Sequence, residues 1–163
     1  MIAIEGERIH RLASAILAIV FVAASAWLFW DGSERRAAEQ AGKEAVQAAR
    51  DSIVAILSYQ PATAEKDLGA AAQDRLTGKF LEDYSQLIKT VVAPNAKQQG
   101  ITAAAQVPAA AVVSAQGDRV VVLAYVDQTT TVGKQAPLPA KSSVRVSMER
   151  VDGRWLISGF EPI

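Results

Sequence analysis

The stretch SVRVSMERVDGRWLISGF, residues 143–160, decides the fold class. Val144, Val146 and Met148 alternate with Arg145, Ser147 and Glu149, the period of a strand with one buried face. Asp152-Gly153 follows, a dipeptide that accepts positive φ at both central positions of a tight hairpin turn. Arg154 to Phe160 returns as a second strand, with Trp155 and Ile157 on one face.

Working back toward the N-terminus, Gly133 to Lys141 reads as a loop carrying Pro137 and Pro139. Arg119 to Thr131 (RVVVLAYVDQTTT) has high β-propensity and apolar residues on both faces, the mark of a central strand. Gln116-Gly117-Asp118 is a turn, and Ile101 to Ala115 is a further strand. Pro108 inside it predicts an edge position or a bulge.

Upstream of Gly100 the period changes. Phe80, Leu81, Tyr84, Leu87, Ile88, Val91 and Val92 fall on one helical face over Lys79 to Val92, and Pro94 is expected to stop that helix. A shorter helix from Ala64 to about Ala72 has Thr63 as its cap. Ser58-Tyr59-Gln60-Pro61 breaks the chain before it. Ser33 to Leu57 is rich in Ala, Glu, Gln, Lys and Arg, with Val46, Ala49, Ile53 and Ile56/Leu57 on a narrow apolar face. Its first half, through about Ala45, reads as a stalk and its second half as the first helix of the domain. The shortage of large residues early in it argues against a coiled-coil seam. Helices followed by an antiparallel meander make the domain α+β. The expected packing is a curved sheet wrapped on the Lys79 to Val92 helix.

Leu12 to Trp30 carries no charge over nineteen residues. As a helix it is about 28 Å long, against roughly 30 Å for a bilayer core. Arg8, His10 and Arg11 precede it, and Trp27 and Trp30 sit at its far end, where aromatic rings favour the headgroup layer. Ala24-Ser25-Ala26 also fits signal-peptidase cleavage, but the apolar run continues past it, which favours a retained anchor. Lys and Arg are balanced on the two sides of the run, so charge alone does not orient it. The expected organisation is a tail at 1–11, a transmembrane helix at 12–30, a stalk and first domain helix at 31–57, and an α+β domain at 58–163.

The chain has 17 basic and 17 acidic residues, no cysteine and one histidine. A neutral domain has no basic footprint for nucleic acid. Thiol chemistry and disulfides are excluded, and His10 alone builds neither a triad nor a multi-histidine metal site. No cofactor or metal is expected.

Several segments in this order resemble the Mce-associated membrane proteins of mycobacteria and related actinobacteria. They are the anchor at 12–30, Leu57-Ser58-Tyr59 before Pro61, Asp67-Leu68, and Leu76-Thr77-Gly78-Lys79-Phe80 with Tyr84. Val91-Val92-Ala93-Pro94, residues 121–129 (VVLAYVDQT) and residues 153–158 (GRWLIS) complete the resemblance, which covers nearly the whole chain. It implies a cone-shaped domain like that of nuclear transport factor 2 or cystatin, a shape shared with bitopic assembly proteins of type IV secretion. It also implies a single pass through the inner membrane, with the N-terminus cytoplasmic and the domain periplasmic. The implied role is an accessory one in lipid import, with Mce substrate-binding proteins, permease subunits and sister Mce-associated proteins as partners. It transfers no catalytic residue.

Three functions follow as expectations: a non-enzymatic Mce accessory or assembly subunit, a periplasmic lipid-binding module, or an assembly factor of a secretion-type complex. Phe80, Tyr84, Leu87, Val91, Tyr125, Trp155 and Phe160 are the candidate apolar pocket or core. Ala23, Ala24, Ser25 and Ala26 form a small-residue patch suited to close helix packing in the membrane. An isomerase-like site needs a carboxylate base and a hydroxyl donor, for which Asp83 or Asp127 and Tyr84 or Tyr125 are the candidates. Tyr84 reads more simply as core, Asp83 and Asp127 as solvated, and Trp155 as a plug between sheet and helix.

Overall fold

The computed structural model describes residues 36–163. The apolar run at 12–30 and its Ala23–Ala26 patch lie outside the described residues. No helix among the described residues is long and apolar enough to cross a membrane.

Helix α1 covers residues 36–57, followed by α2 (Ala64–Arg75) and α3 (Gly78–Leu87). A π-helical turn (Ile88–Val92) joins α3 to α4 (Ala93–Gln99). Four strands complete the chain: β1 (Ile101–Gln116), β2 (Arg119–Val132), β3 (Leu138–Val151) and β4 (Arg154–Pro162). They form one antiparallel sheet in sequence order, so the α+β class and the central place of β2 both hold. Asp152 and Gly153 have φ of 49° and 78°, the backbone a tight primed turn requires.

The sheet does not wrap on the Lys79 to Val92 helix. Helix α3 has no buried residue. The centre of the core is α1, where Ala45, Ala49 and Ile53 are fully buried and Ala41 and Ile56 nearly so. These residues repeat about every four positions and form one ridge. Alanine leaves little between helix axis and sheet, so the backbone seats close to Val120, Val122, Ala124 and Val126 of β2 and to Val144, Val146 and Met148 of β3. The segment through Ala45 is therefore part of the core rather than a stalk. A weakly apolar residue such as Ala gives little hydrophobic signal in a sequence, yet it suits close approach best.

Several boundaries move for identifiable reasons. Pro94 does not end the helix: it falls at the start of α4, just after the π turn, where a missing N–H is tolerated. The wider turn also breaks the expected apolar face. Ile88 is buried, while Leu87 and Val91 are 46% and 47% exposed. Helix α2 runs three residues beyond Ala72, to Arg75, and the Thr63 side chain makes no capping bond. The loop after Gly133 ends early, since β3 starts at Leu138. Pro139 pairs with Thr129 of β2 in a stretch that β4, whose pairing begins at Val144, does not flank.

Three bulges shape the sheet. In β1 the register jumps between Gln106 and Ala109 and again between Val112 and Ser114; in β3–β4 it jumps opposite Ser158. Each jump reverses the faces of the bulged strand. The outer edge of β1 is bonded at one point by Tyr59, whose backbone exchanges bonds of 2.9 and 3.0 Å with Ala103. Likewise, Thr77 N–H donates to Ile157 O on the edge of β4 at 2.9 Å. Arg50 Nη1 donates to Val107 O at 2.7 Å, and Gln128 Nε2 to Leu57 O at the end of α1 at 3.2 Å.

Close seating of α1 has a direct test. Ala45→Leu inserts three carbons where none fits, and is expected to cost about 1–3 kcal/mol. Urea unfolding should show a lower midpoint with an unchanged slope. A stalk position would tolerate the substitution with no shift.

Candidate interaction surfaces

The residues expected to line one apolar pocket are distributed over three places. Phe80 and Phe160 stack with ring centroids 6.3 Å apart and an interplanar angle of 6°, and Tyr84 lies 5.9 Å from Phe80. The Ser158 bulge brings Phe160 into this seam. Plain alternation from Trp155 and Ile157 would have placed Gly159 there, but Phe160 pairs with the buried Val146 instead. Tyr84 donates its hydroxyl to Ile56 O near the end of α1. Burial, and to a lesser degree the neighbouring Tyr59, raises the Tyr84 pKa far above the ordinary phenol value. A phenol held neutral and bonded to a backbone carbonyl is a structural tie, not an oxyanion donor.

Trp155 is 8% exposed and belongs to a second cluster. Its Nε1–H donates to Glu44 Oε2 of α1 at 3.3 Å, and Arg150 Nη2 donates to the same oxygen at 2.8 Å. The Arg150 guanidinium also lies 5.3 Å from the Trp155 ring centre, within cation–π range. Glu44 thus ties α1 to the β3–β4 hairpin. Hydrogen bonds from Gln40 and Trp155, aided by the charge of Arg150, hold its carboxyl below the usual glutamate value. No spacing in the sequence announced this cluster, because Glu44 lies more than a hundred residues from both partners. A second charged tie, Arg154 Nη2 to Asp74 Oδ1 at 2.6 Å, joins β4 to the end of α2.

Tyr125 stands apart, 51% exposed on the sheet face opposite the helices. It lines an open groove of about 550 Å³ with Pro108, Ala109, Asp127, Lys141, Ser143 and Ile163. Tyr125 and Asp127 do share a face, as strand period requires, but Lys141 Nζ sits 3.8 Å from Asp127. The remaining candidate base, Asp83, accepts from Lys79 Nζ at 2.7 Å on the exposed side of α3. A smaller hollow of about 190 Å³ lies between Glu65, Gly69 and Gln73 of α2 and Ser85, Ile88 and Lys89. Leu87, next to Ile88 in this stretch, and Val91 are exposed, although both had been expected in the pocket.

Residues 7–162 match the family described as Uncharacterized protein Rv1363c/MT1408-like. The chain belongs to this family. One relative of this Rv1363c/MT1408-like chain is the Mycobacterium tuberculosis protein named outer membrane protein Rv1973. It is 50% identical over 147 residues, covering 90% of this chain and 91% of that protein. Among solved structures, an IcmL-like type IV secretion system protein from Legionella pneumophila aligns with a TM-score of 0.62 at 10% identity. That alignment covers 72% of this chain and 90% of the other. The Agrobacterium tumefaciens VirB8 protein aligns with a TM-score of 0.57 at 12% identity, over 72% and 88% of the two chains. The Rv1363c/MT1408-like domain therefore shares its fold with secretion-system proteins.

The Glu44 tie predicts a pH dependence. Its folded-state pKa is depressed, so its contribution to stability is present above the unfolded value of 4.5 and is lost as pH falls through the lower folded value. Thermal melts should decline below about pH 4.5, and Glu44→Gln should remove part of that decline while lowering the melting temperature at neutral pH. Tyr84→Phe removes one hydroxyl-to-carbonyl bond and is expected to cost about 1 kcal/mol in denaturant unfolding.

Proposed function

We propose that the chain is a membrane-anchored, non-enzymatic assembly subunit of a multi-protein envelope complex. The observation that carries this reading is where the polar and apolar groups are used. The hydroxyl of Tyr84 and the carboxylates of Glu44 and Asp74 are spent on joining elements. Apolar Leu87, Val91 and Tyr125 instead lie about half exposed on the surface. Outward apolar side chains suit protein contacts. The fold shared with the IcmL-like protein and VirB8 supports the same reading, as does the uncharged run at 12–30.

The location we propose is a single pass through the inner membrane, with the N-terminus cytoplasmic and the domain in the periplasm. The name outer membrane protein carried by Rv1973 makes the choice of membrane part of the test. Two complexes are candidates within this reading. The sequence resemblance to Mce-associated proteins points to lipid import, with Mce substrate-binding and permease subunits as partners. The fold likeness favours a secretion-type assembly.

Membrane fractionation of the native host, then affinity purification of the full chain in mild detergent with mass spectrometry of proteins and lipids, tests the proposal. The expected result is a set of envelope proteins recovered in constant ratio from the inner-membrane fraction, their identity naming the complex. Recovery of the chain alone overturns the assembly role, and stoichiometric lipid without protein partners replaces it with a carrier.

A further inference from the structure

The sheet face opposite the helices is covered by no other element among the described residues. On β2 the buried side chains are Val120, Val122, Ala124 and Val126, so Arg119, Val121, Leu123, Tyr125 and Asp127 belong to the open face. On β3, Val144, Val146 and Met148 are buried, leaving Lys141, Ser143, Arg145, Ser147 and Glu149 outward. Half-exposed Tyr125 and partly exposed Val121 and Leu123 give the face an apolar middle.

Its charges form a checkerboard. Arg119 lies opposite Glu149 at one end, and Asp127 opposite Lys141 at the other, with Leu123 opposite Arg145 midway. Along β2 the sign runs from plus to minus, and along the neighbouring positions of β3 from minus to plus.

We propose that this face packs on the same face of a second copy, about a two-fold axis that crosses the strands at Leu123. That axis lays each end of the face over the opposite end of its partner. Arg119 of one copy meets Asp127 of the other, and Glu149 meets Lys141. Val121 meets Tyr125, and Leu123 meets itself at the axis. Arg145 stands beside Glu161 on the neighbouring strand, so the like charges brought together at the axis are interleaved with opposite ones. Gly159, paired with Ser147 in the Val121 row, leaves space where Ile163 of the other copy arrives beside Ser143.

A two-fold parallel to the strands also matches the corner charges, but it places Leu123 over Arg145, which buries a charge against an apolar side chain. The crossing axis avoids this. The size is adequate. About nine residues per strand at about 3.3 Å, across four strands about 4.8 Å apart, present roughly 600 Å² per copy, or about 1,200 Å² in total, at the lower end of specific interfaces. A neutral, patterned face of this kind suits a self-complementary partner, since a partner of one sign meets as much repulsion as attraction.

The full chain in mild detergent, with protein mass determined by light scattering, provides the test. The wild-type chain should be a concentration-dependent dimer. Leu123→Glu places two carboxylates on the axis and should raise the dimer Kd at least about tenfold, with an unchanged melting temperature. Arg119→Glu should also weaken the dimer, and Arg119→Glu with Asp127→Lys in the same chain should restore it, because the pair re-forms between copies with its signs exchanged. A monomeric wild type overturns the proposal, as does a dimer that survives Leu123→Glu or a charge swap that fails to rescue. Rescue by Arg119→Glu with Glu149→Arg but not with Asp127→Lys overturns the crossing axis.

Discussion

The close seating of an alanine ridge on a sheet is the constraint on which the rest of this domain depends. Dispersion contacts fall off steeply with a fraction of an ångström of separation, so a helix that seats closely gains more than its small side chains suggest. Ala41, Ala45 and Ala49 allow that approach, and Ile53 and Ile56 fill the wider space where the ridge ends. The polar contacts around the ridge keep it in register. Glu44 reaches the β3–β4 hairpin, Arg50 the first bulge of β1, and Gln128 the last turn of the helix. A helix held at its start, middle and end has little freedom to slide on the sheet.

The same logic places the other helices at the periphery. With the sheet's inner face occupied by α1, the π-interrupted helix contributes only Ile88 to the deep core from its middle, and its aromatic residues seal an outer seam with Phe160. Larger residues then remain at the surface. A protein whose core is built from small side chains keeps its bulky ones available for other contacts, and this distribution is what separates an assembly module from a carrier with a hollow centre.

How far the sequence could be read follows from which signals are local. Strict alternation in Val144, Val146 and Met148, the Asp152-Gly153 turn and the β-branched density of β2 are local properties, and each produced the element it predicts. Pro108 marked both the edge strand and a bulge. What could not be read was long-range. The inner face of β1 passes from Ala103 and Ala105 to Ala110 and Val112 and then to Ala115, reversing at each bulge, so no single period describes it. Leu87 and Val91 matched a 3.6-residue face that the π turn abolished. The Tyr125–Asp127 pair was legible from strand period alone, whereas its position on an open face depended on which side of the sheet the helices chose. The Glu44 cluster had no local signal, since its members meet only through the fold.

The π turn also bears on how the domain tolerates change in length. Such a turn holds one residue more than the α-helix it interrupts. Deleting a single residue within Ile88–Val92 would let α3 and α4 join as one continuous helix. Each residue of an α-helix advances the chain by about 100°, so everything downstream of the deletion would turn by that angle relative to Phe80 and Tyr84. Ala93 and Ala96, now in the core, would swing toward solvent, and Gly100, whose left-handed backbone starts the sheet, would aim β1 in a new direction. Loops elsewhere in the domain can gain or lose residues at small cost, but this helical segment is length-intolerant, and natural variation among related chains should leave its residue count unchanged while varying its side chains.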